Sequence, residues 1–333
     1  MPLLALLTLL GCPRSTDPPP PSCASCHAAE AAAWSTSHHA LSERDRPADA
    51  PPTVPLDPLQ PTSFSRVIGV HPLWQPLLPA GQGRTQVSSL AWDVNEGEWF
   101  SAFPDDRRAG EWGHWTGRGM TWNRMCATCH NTAARVGWDA SSDTYATTVA
   151  EPAITCAACH GPSDTHRRDP RVPPDVPQDR QAAQETCEAC HTRATPLATP
   201  LVPGAALLDQ VLPALPGLDP GFHPDGLVRT ESFEGASFRS SRMYEAGVRC
   251  VDCHEPHGAR LQRQGDALCQ GCHAPEAPHP AHPSGPTCVD CHMPVTVHMQ
   301  RHPRHDHAFP SPDPTLDRDL GRPSPCDRCH EVA

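Results

Sequence analysis

The chain has 333 residues, 38% of them hydrophobic and 5% aromatic, and 42 are proline. So little apolar material and so much proline argue against a conventional oily core, long helices and wide sheets. A formal net charge of −12 argues against nucleic acid as a partner.

The N-terminus is read first. Residues 1–11 contain the apolar run Leu3 to Leu10, too short to span a bilayer. It reads as the h-region of a signal peptide that lacks a charged n-region. Leu9-Leu10-Gly11-Cys12 resembles the lipobox of bacterial lipoproteins. On that reading Cys12 is lipidated, and residues 12–22 form a Pro-rich tether. A plain signal peptide, or a start codon placed too late, is the alternative. The expected location is extracytoplasmic: a periplasmic or outer-membrane-associated lipoprotein, held at the membrane by its lipid. No other segment of the sequence is apolar enough to cross a membrane.

From Cys23 onward one motif recurs. Cys-x-x-Cys-His occurs at Cys23/Cys26/His27, Cys126/Cys129/His130, Cys156/Cys159/His160 and Cys187/Cys190/His191. It returns at Cys250/Cys253/His254, Cys269/Cys272/His273, Cys288/Cys291/His292 and Cys326/Cys329/His330. Sixteen of the 17 cysteines are used, and Cys12 is the one left over. This string is the attachment signal for c-type haem. Each thiol forms a thioether to a porphyrin vinyl group, and the adjacent histidine becomes the proximal ligand of the iron. Four-cysteine zinc sites or disulfides would not require a histidine after every pair. The expected cofactor is therefore haem c, eight per chain.

Motif spacing divides the chain. Residues 23–125 hold one haem motif and a Trp-rich insertion, residues 126–200 three motifs, and residues 201–249 a linker. Residues 250–333 hold the last four motifs. The insertion carries Trp74, Trp92, Trp99, Trp112, Trp115 and Trp122. Within it "SFSRVIGV" and "RTQVSSLAWDV", separated by "PAGQG", predict a small β-hairpin region near 64–100. That insertion is either a structural subdomain packed on haems or a face for a partner. The fold class expected is mainly irregular, with short α-helices wrapped around stacked haems. The porphyrins would stand in for the missing core. One short helix is predicted at "AAEAAAWSTSHHAL". All 26 basic residues are arginine. Some would clamp haem propionates, although a biased base composition also accounts for the pattern.

Thirteen histidines lie outside the motifs: His38, His39, His71, His114, His166, His223, His257, His279, His282, His298, His302, His305 and His307. They suffice for bis-histidine ligation of every iron, which suits a carrier of electrons and keeps substrates off the metal. His166 and His257 lie six and three residues beyond motif histidines. Each is too close to reach the far side of its own ring, so each is expected to ligate a neighbouring haem. One of the histidines in "HMQRHPRHDH" is expected to serve as a ligand, with His307 preferred; the cluster could also take a stray metal ion.

At this point the chain resembles the octahaem members of the multihaem cytochromes c. These are related to the nitrifiers' tetrahaem cytochrome and to the hydroxylamine oxidoreductase and nitrite reductase group. Close relatives often carry tetratricopeptide repeats, which this sequence lacks. The resemblance covers residues 23 to 330. It rests on "WSTSHHA", "VIGVHPLWQPLL", "AWD", "HWTG", "WNRMCATCHNT", "ITCAACHGPSDTH", "FHPDGLVR", "SRMYEAGVRCVDCHEPHG", "ALCQGCHAP", "CVDCHMP" and "RHDHAF". It implies His39, His114, His166, His223, His257, His282 and His307 as distal iron ligands. Seven such ligands for eight haems leave the eighth distal ligand open.

Two functions compete. In the first, the chain passes electrons between extracytoplasmic donor and acceptor proteins. In the second, one five-coordinate haem reduces or oxidises a small nitrogen or sulfur compound such as nitrite, hydroxylamine or tetrathionate. The lysine-ligated catalytic haem typical of pentahaem nitrite reductases is excluded, because the chain has no lysine. A tyrosine cross-linked haem, as in hydroxylamine oxidoreductases, leaves Tyr145 and Tyr244 to consider, with Tyr244 just before motif five. A tyrosine, Met293 or water could occupy an open iron. No catalytic residue is assigned.

Overall fold

The structure is a computed structural model. It describes residues 21–56, 61–103, 107–174, 177, 179–230, 233–274 and 285–330. The signal peptide, Cys12, His279 and His282 lie outside the described residues.

Short elements dominate, as the proline content requires. The longest described helix is Arg180–His191, of 12 residues. The helix expected after motif one forms at Ala28–Ser35. Most two-stranded sheets are turns of only a few paired residues. Among the described residues no helix is long and apolar enough to cross a membrane.

The Trp-rich insertion is larger than a hairpin. It contributes to a six-stranded antiparallel sheet in the order Glu43–Asp45, Arg66–Ile68, Leu73–Pro79, Leu90–Asp93, Glu98–Ser101, with Thr85–Val87 also paired to Leu73–Pro79. The central strand, "LWQPLLP", was not readable as one because it contains two prolines and does not alternate. Pro76 falls where the strand changes partner, between the Leu73–Trp74 pairing and the Leu77–Pro79 pairing. Its carbonyl there accepts from Ser88 N at 3.0 Å.

The sheet's register stacks its aromatic rings. Trp74 pairs with Trp92, and Trp92 with Trp99. Their ring centroids lie 5.2 to 5.9 Å apart, and Phe64 closes the group at 5.9 Å from Trp74. Such pairs contribute about 0.5–1.5 kcal/mol each beyond area burial. Val54, Leu56, Val67 and Leu78 complete this small core. Four of the six tryptophans, Trp74, Trp92, Trp99 and Trp115, therefore pack within the insertion itself, whereas Trp112 is exposed.

Two further clusters join the sheet to the motifs. Ile68, Leu77 and Val87 pack on Trp122, Ala127 and Ala134, around motif two. Leu73, Ala91 and Phe100 meet Met299 of the C-terminal hairpin. The stretch 201–249, read as a linker, is packed. Leu207 and Val211 bury against Ala189 of motif four's helix, and Phe222, Val228 and Ala236 form another cluster.

Candidate functional site

Each Cys-x-x-Cys-His motif occupies about one helical turn. Helices cover Ala127–His130, Cys156–His160, Arg180–His191, Cys250–Cys253 and Cys288–His292. Single 3-10 turns begin or contain the motifs at Cys23, Cys269 and Cys326. Residues i, i+3 and i+4 of a turn share one face, so two thiols and an imidazole point the same way. Capping holds several turns in place. Asp252 accepts from Arg249 N, Asp290 from Thr287 N, and Asp179 from Ala182 N.

Motif side chains differ in how far the polypeptide itself covers them. Cys26, Cys272 and Cys329 are exposed, as is Cys159. His273 and His330 are exposed as well. The physical reason is local. Motifs one, six and eight sit on single 3-10 turns. No residue of these turns belongs to the hydrophobic clusters of the described residues. Cys126 and Ala127 of motif two, by contrast, pack in such a cluster. His27, His160 and His191 are also exposed, but each has an imidazole opposite it, as described below.

The sixteen motif cysteines are all free thiols. Among the described residues, no group of three or more His, Cys, Asp or Glu is arranged to hold a bare metal ion. The thiols of different motifs adjoin instead. Cys129 hydrogen-bonds Cys190, and Cys187 hydrogen-bonds Cys250. Burial pushes the Cys126 thiol up to about 12, whereas the bond to Cys190 holds Cys129 down at about 7.

The histidines carry the main geometric finding. Four motif imidazoles each face a non-motif imidazole at nearly one separation. His27 faces His166 at 6.3 Å between centroids, and His191 faces His39 at 6.1 Å. His160 faces His257 at 6.2 Å, and His254 faces His307 at 6.3 Å. A metal held between two ring nitrogens needs about 2 Å per bond and about 1.1 Å from each nitrogen to its ring centre, so roughly 6.2 Å in all. The residues present therefore fit an iron between each pair. Ring orientation agrees, because a ligand ring that gives Nδ1 to a partner keeps Nε2 for a metal. His166 gives Nδ1 to Val172 O at 2.8 Å, and His307 to His305 O at 2.9 Å. Among the proximal rings, His130 gives Nδ1 to Ser42 O and His292 to Pro310 O, both at 3.1 Å.

Electrostatics follow the same grouping. Burial, then the neighbouring His191, pushes His39 down to about 4, so it is neutral and able to ligate. Burial pushes Glu234 up, but His191 and Arg304 outweigh it and hold Glu234 at about 2.

The remaining sequence-predicted ligands are placed differently. Among the described residues His114 faces no motif imidazole at that separation; its Nδ1 bonds Thr116 Oγ1 at 2.7 Å beside Trp115. His223 is buried against Leu320 and Arg322, on the approach to motif eight. In the C-terminal hairpin His298 pairs across the strands with His302. Burial, then Arg304, pushes His302 down to about 4, and His305 gives Nδ1 to Met293 O at 2.8 Å. Tyr244 lies under the guanidinium groups of Arg249 and Arg239, 4.6 and 5.4 Å from its ring centre. Its hydroxyl meets Gln181 Nε2 at 3.2 Å.

Several arginines expected to be available for propionates are bound to carboxylates. Arg239 holds Glu188 and Glu185, and Arg301 holds Asp93 and Glu98. Arg322 bonds Asp317 and Asp225.

Several motifs adjoin one another. Cys156 adjoins Cys23, and Cys187 adjoins Cys159. The helix of motif four touches those of motifs two and five, and Cys250 N donates to Gln184 Oε1 at 2.9 Å. Cys253 adjoins Cys269 and Cys272, and Cys288 N donates to Asp266 Oδ1 at 2.9 Å. Cys291 adjoins Cys326 and Cys329, and Arg328 bonds Asp290 at 2.7 Å. Motif four's helix thus lies beside those of motifs two and five, and motif seven's helix beside the turn of motif eight.

Sequence reading missed the partners of the ligand rings: Ser42, Val172, Pro310 and the carboxylates of Glu234 and Glu255. The backbone acceptors leave no sequence signal. Glu255, two residues before His257 in "CHEPHG", does.

Parts of the chain match known families. Residues 113–192, which carry motifs two to four, match the family described as cytochrome c7 and related cytochrome c. Residues 244–278, with motifs five and six, match the doubled CXXCH motif. No curated protein matches. The fold is similar to that of the outer cell wall cytochrome OcwA, at 20% identity and a TM-score of 0.69, over 93% of this chain and 83% of that one. It is also similar to an undecaheme cytochrome from the S-layer of Carboxydothermus ferrireducens, at 18% identity and a TM-score of 0.52. That alignment covers 93% of this chain and 57% of the neighbour. Two segments of the chain thus match families of c-type cytochromes, and its fold is similar to that of multihaem cytochromes.

Proposed function

We propose that the chain is an octahaem cytochrome that passes electrons between extracytoplasmic redox partners through closely spaced, mostly bis-histidine haems. The observation that carries this reading is the fourfold recurrence of facing imidazoles at 6.1 to 6.3 Å. In each pair one ring belongs to a motif and the other to a different part of the chain. Each pair would therefore clamp two segments on one porphyrin, which accounts for cohesion without an oily core. The haems supply reversible one-electron chemistry when bound. The protein's own residues attach them through sixteen thiols, orient the ligand rings through Nδ1, and close both faces of the iron to substrates.

The extracytoplasmic setting is supported by the lipobox-like Leu9-Leu10-Gly11-Cys12 and by neighbours described as cell-wall and S-layer cytochromes. The finer relation to the nitrifier and hydroxylamine oxidoreductase group rests on the sequence strings given above. The experiment is electron paramagnetic resonance of the purified holoprotein. Low-spin ferric signals that do not change on adding nitrite or carbon monoxide support the carrier reading.

One observation favours the second reading, a small-molecule oxidoreductase. Among the described residues no imidazole faces His130 or His273 at the separation of the four pairs, and His130 is held with its Nδ1 fixed by Ser42. Motif two, set beside motif four, would then hold the reactive iron. A high-spin signal that responds to small ligands and disappears from a C126S/C129S variant would support that reading.

A further inference from the structure

Every ligating imidazole has a second ring nitrogen, and the partner of that nitrogen tunes the ligand's basicity. His130, His166, His292 and His307 all use backbone carbonyls, at 2.8 to 3.1 Å. His257 differs. Its Nδ1 lies 3.0 Å from Oε1 of Glu255, which also accepts from the His257 backbone N–H at 2.9 Å. Oε2 of Glu255 accepts from Gly258 N at 2.7 Å, and Arg260 Nη2 stands 3.8 Å from that oxygen. The carboxylate is pinned on the ring by the turn that carries both residues and cannot swing away.

We propose that Glu255 lowers the reduction potential of the haem held by His160 and His257. The proposal rests on the bis-histidine reading above. A carbonyl partner is neutral, whereas a carboxylate brings a full negative charge to the outer N–H. That charge makes the imidazole a stronger donor and favours the ferric over the ferrous ion.

The test uses holoprotein of wild type, E255Q, E255D and E96Q. Glu96 lies in a turn of the sheet and controls for a lost surface charge. Spectroelectrochemistry follows the haem bands, and electron paramagnetic resonance follows spin state. In E255Q an absorbance amplitude corresponding to one haem moves to higher potential while all low-spin signals persist. E255D, which keeps the charge, stays close to wild type, and E96Q superimposes on it. An E255Q curve identical to wild type overturns the proposal. So does an E255Q protein in which that haem turns high-spin, because Glu255 would then only hold the ring. Wild-type protein without bis-histidine low-spin signals overturns the underlying reading instead.

Discussion

Trp122 Nε1 donates a 2.7 Å hydrogen bond to Oε2 of Glu43, across 79 residues of chain. Asn131 Nδ2 donates to the same oxygen at 2.6 Å, and Arg66 pairs with the other. Glu43 is 2% exposed, so one buried carboxylate joins the edge strand of the sheet to both ends of motif two. Replacing it with alanine removes the acceptor of two buried donors, Trp122 Nε1 and Asn131 Nδ2, and the partner of the more exposed Arg66, at a cost of about 1–3 kcal/mol for each buried donor. Denaturant unfolding of the E43A holoprotein, followed by circular dichroism, should show that loss. E43Q, which keeps an acceptor, should lose less.

A second long-range tie gives a pH dependence. Arg301 of the C-terminal hairpin bonds Asp93 at 2.8 Å and covers Phe100 at 4.3 Å. Burial raises the Asp93 carboxyl, but Arg301 and the amides of Glu96 and Asn95 more than offset it, so its folded pKa lies below the ordinary value. A depressed carboxylate contributes stability above its unfolded pKa, near 4, and that stability is lost as pH falls through the folded value. D93N should therefore be less stable than wild type at pH 7. The two proteins should converge on acidification below about pH 4. Thermal midpoints measured from pH 7 to pH 3 check this.

The distal ligands are open to substitution one at a time. H39A removes the ring facing His191 while leaving Cys187, Cys190 and His191 intact. The holoprotein should keep its full haem mass, lose low-spin intensity for one haem and gain a high-spin signal. H71A is the comparison, since His71 bonds only Asn95 among its described side-chain partners; its spectrum should match wild type.

The aromatic core of the sheet should behave as an ordinary core. W74A removes a ring that touches Phe64, Trp92 and Trp99 and should cost about 3–5 kcal/mol. The haem spectrum of the remaining folded protein should be unchanged.

The attachment motifs were legible because covalent chemistry fixes their spacing, and one helical turn satisfies it at every site. Their coverage was not legible. Spacing reports which atoms react, and says nothing of which segments of the chain lie beside Cys26, Cys272, Cys329, His273 or His330. His39, His166, His257 and His307 were legible from their contexts and the family strings, and the structure brings each opposite a motif ring. His114 and His223 have the same kind of context but are not brought into such pairs among the described residues. The central strand Leu73–Pro79 was hidden because its prolines defeat strand propensity, and only its change of partner makes Pro76 tolerable. The packed state of 201–249 was hidden for a different reason. Its apolar residues are sparse, and they bury against Ala189 and one another across turns rather than at a regular period.

The most direct measurement is the intact mass and resting spin state of protein matured in a host competent for haem attachment. The account predicts eight covalent haems per chain and ferric signals dominated by low-spin, bis-histidine iron. A mass without added porphyrin, or a spectrum in which the four facing pairs contribute no bis-histidine signal, would contradict it.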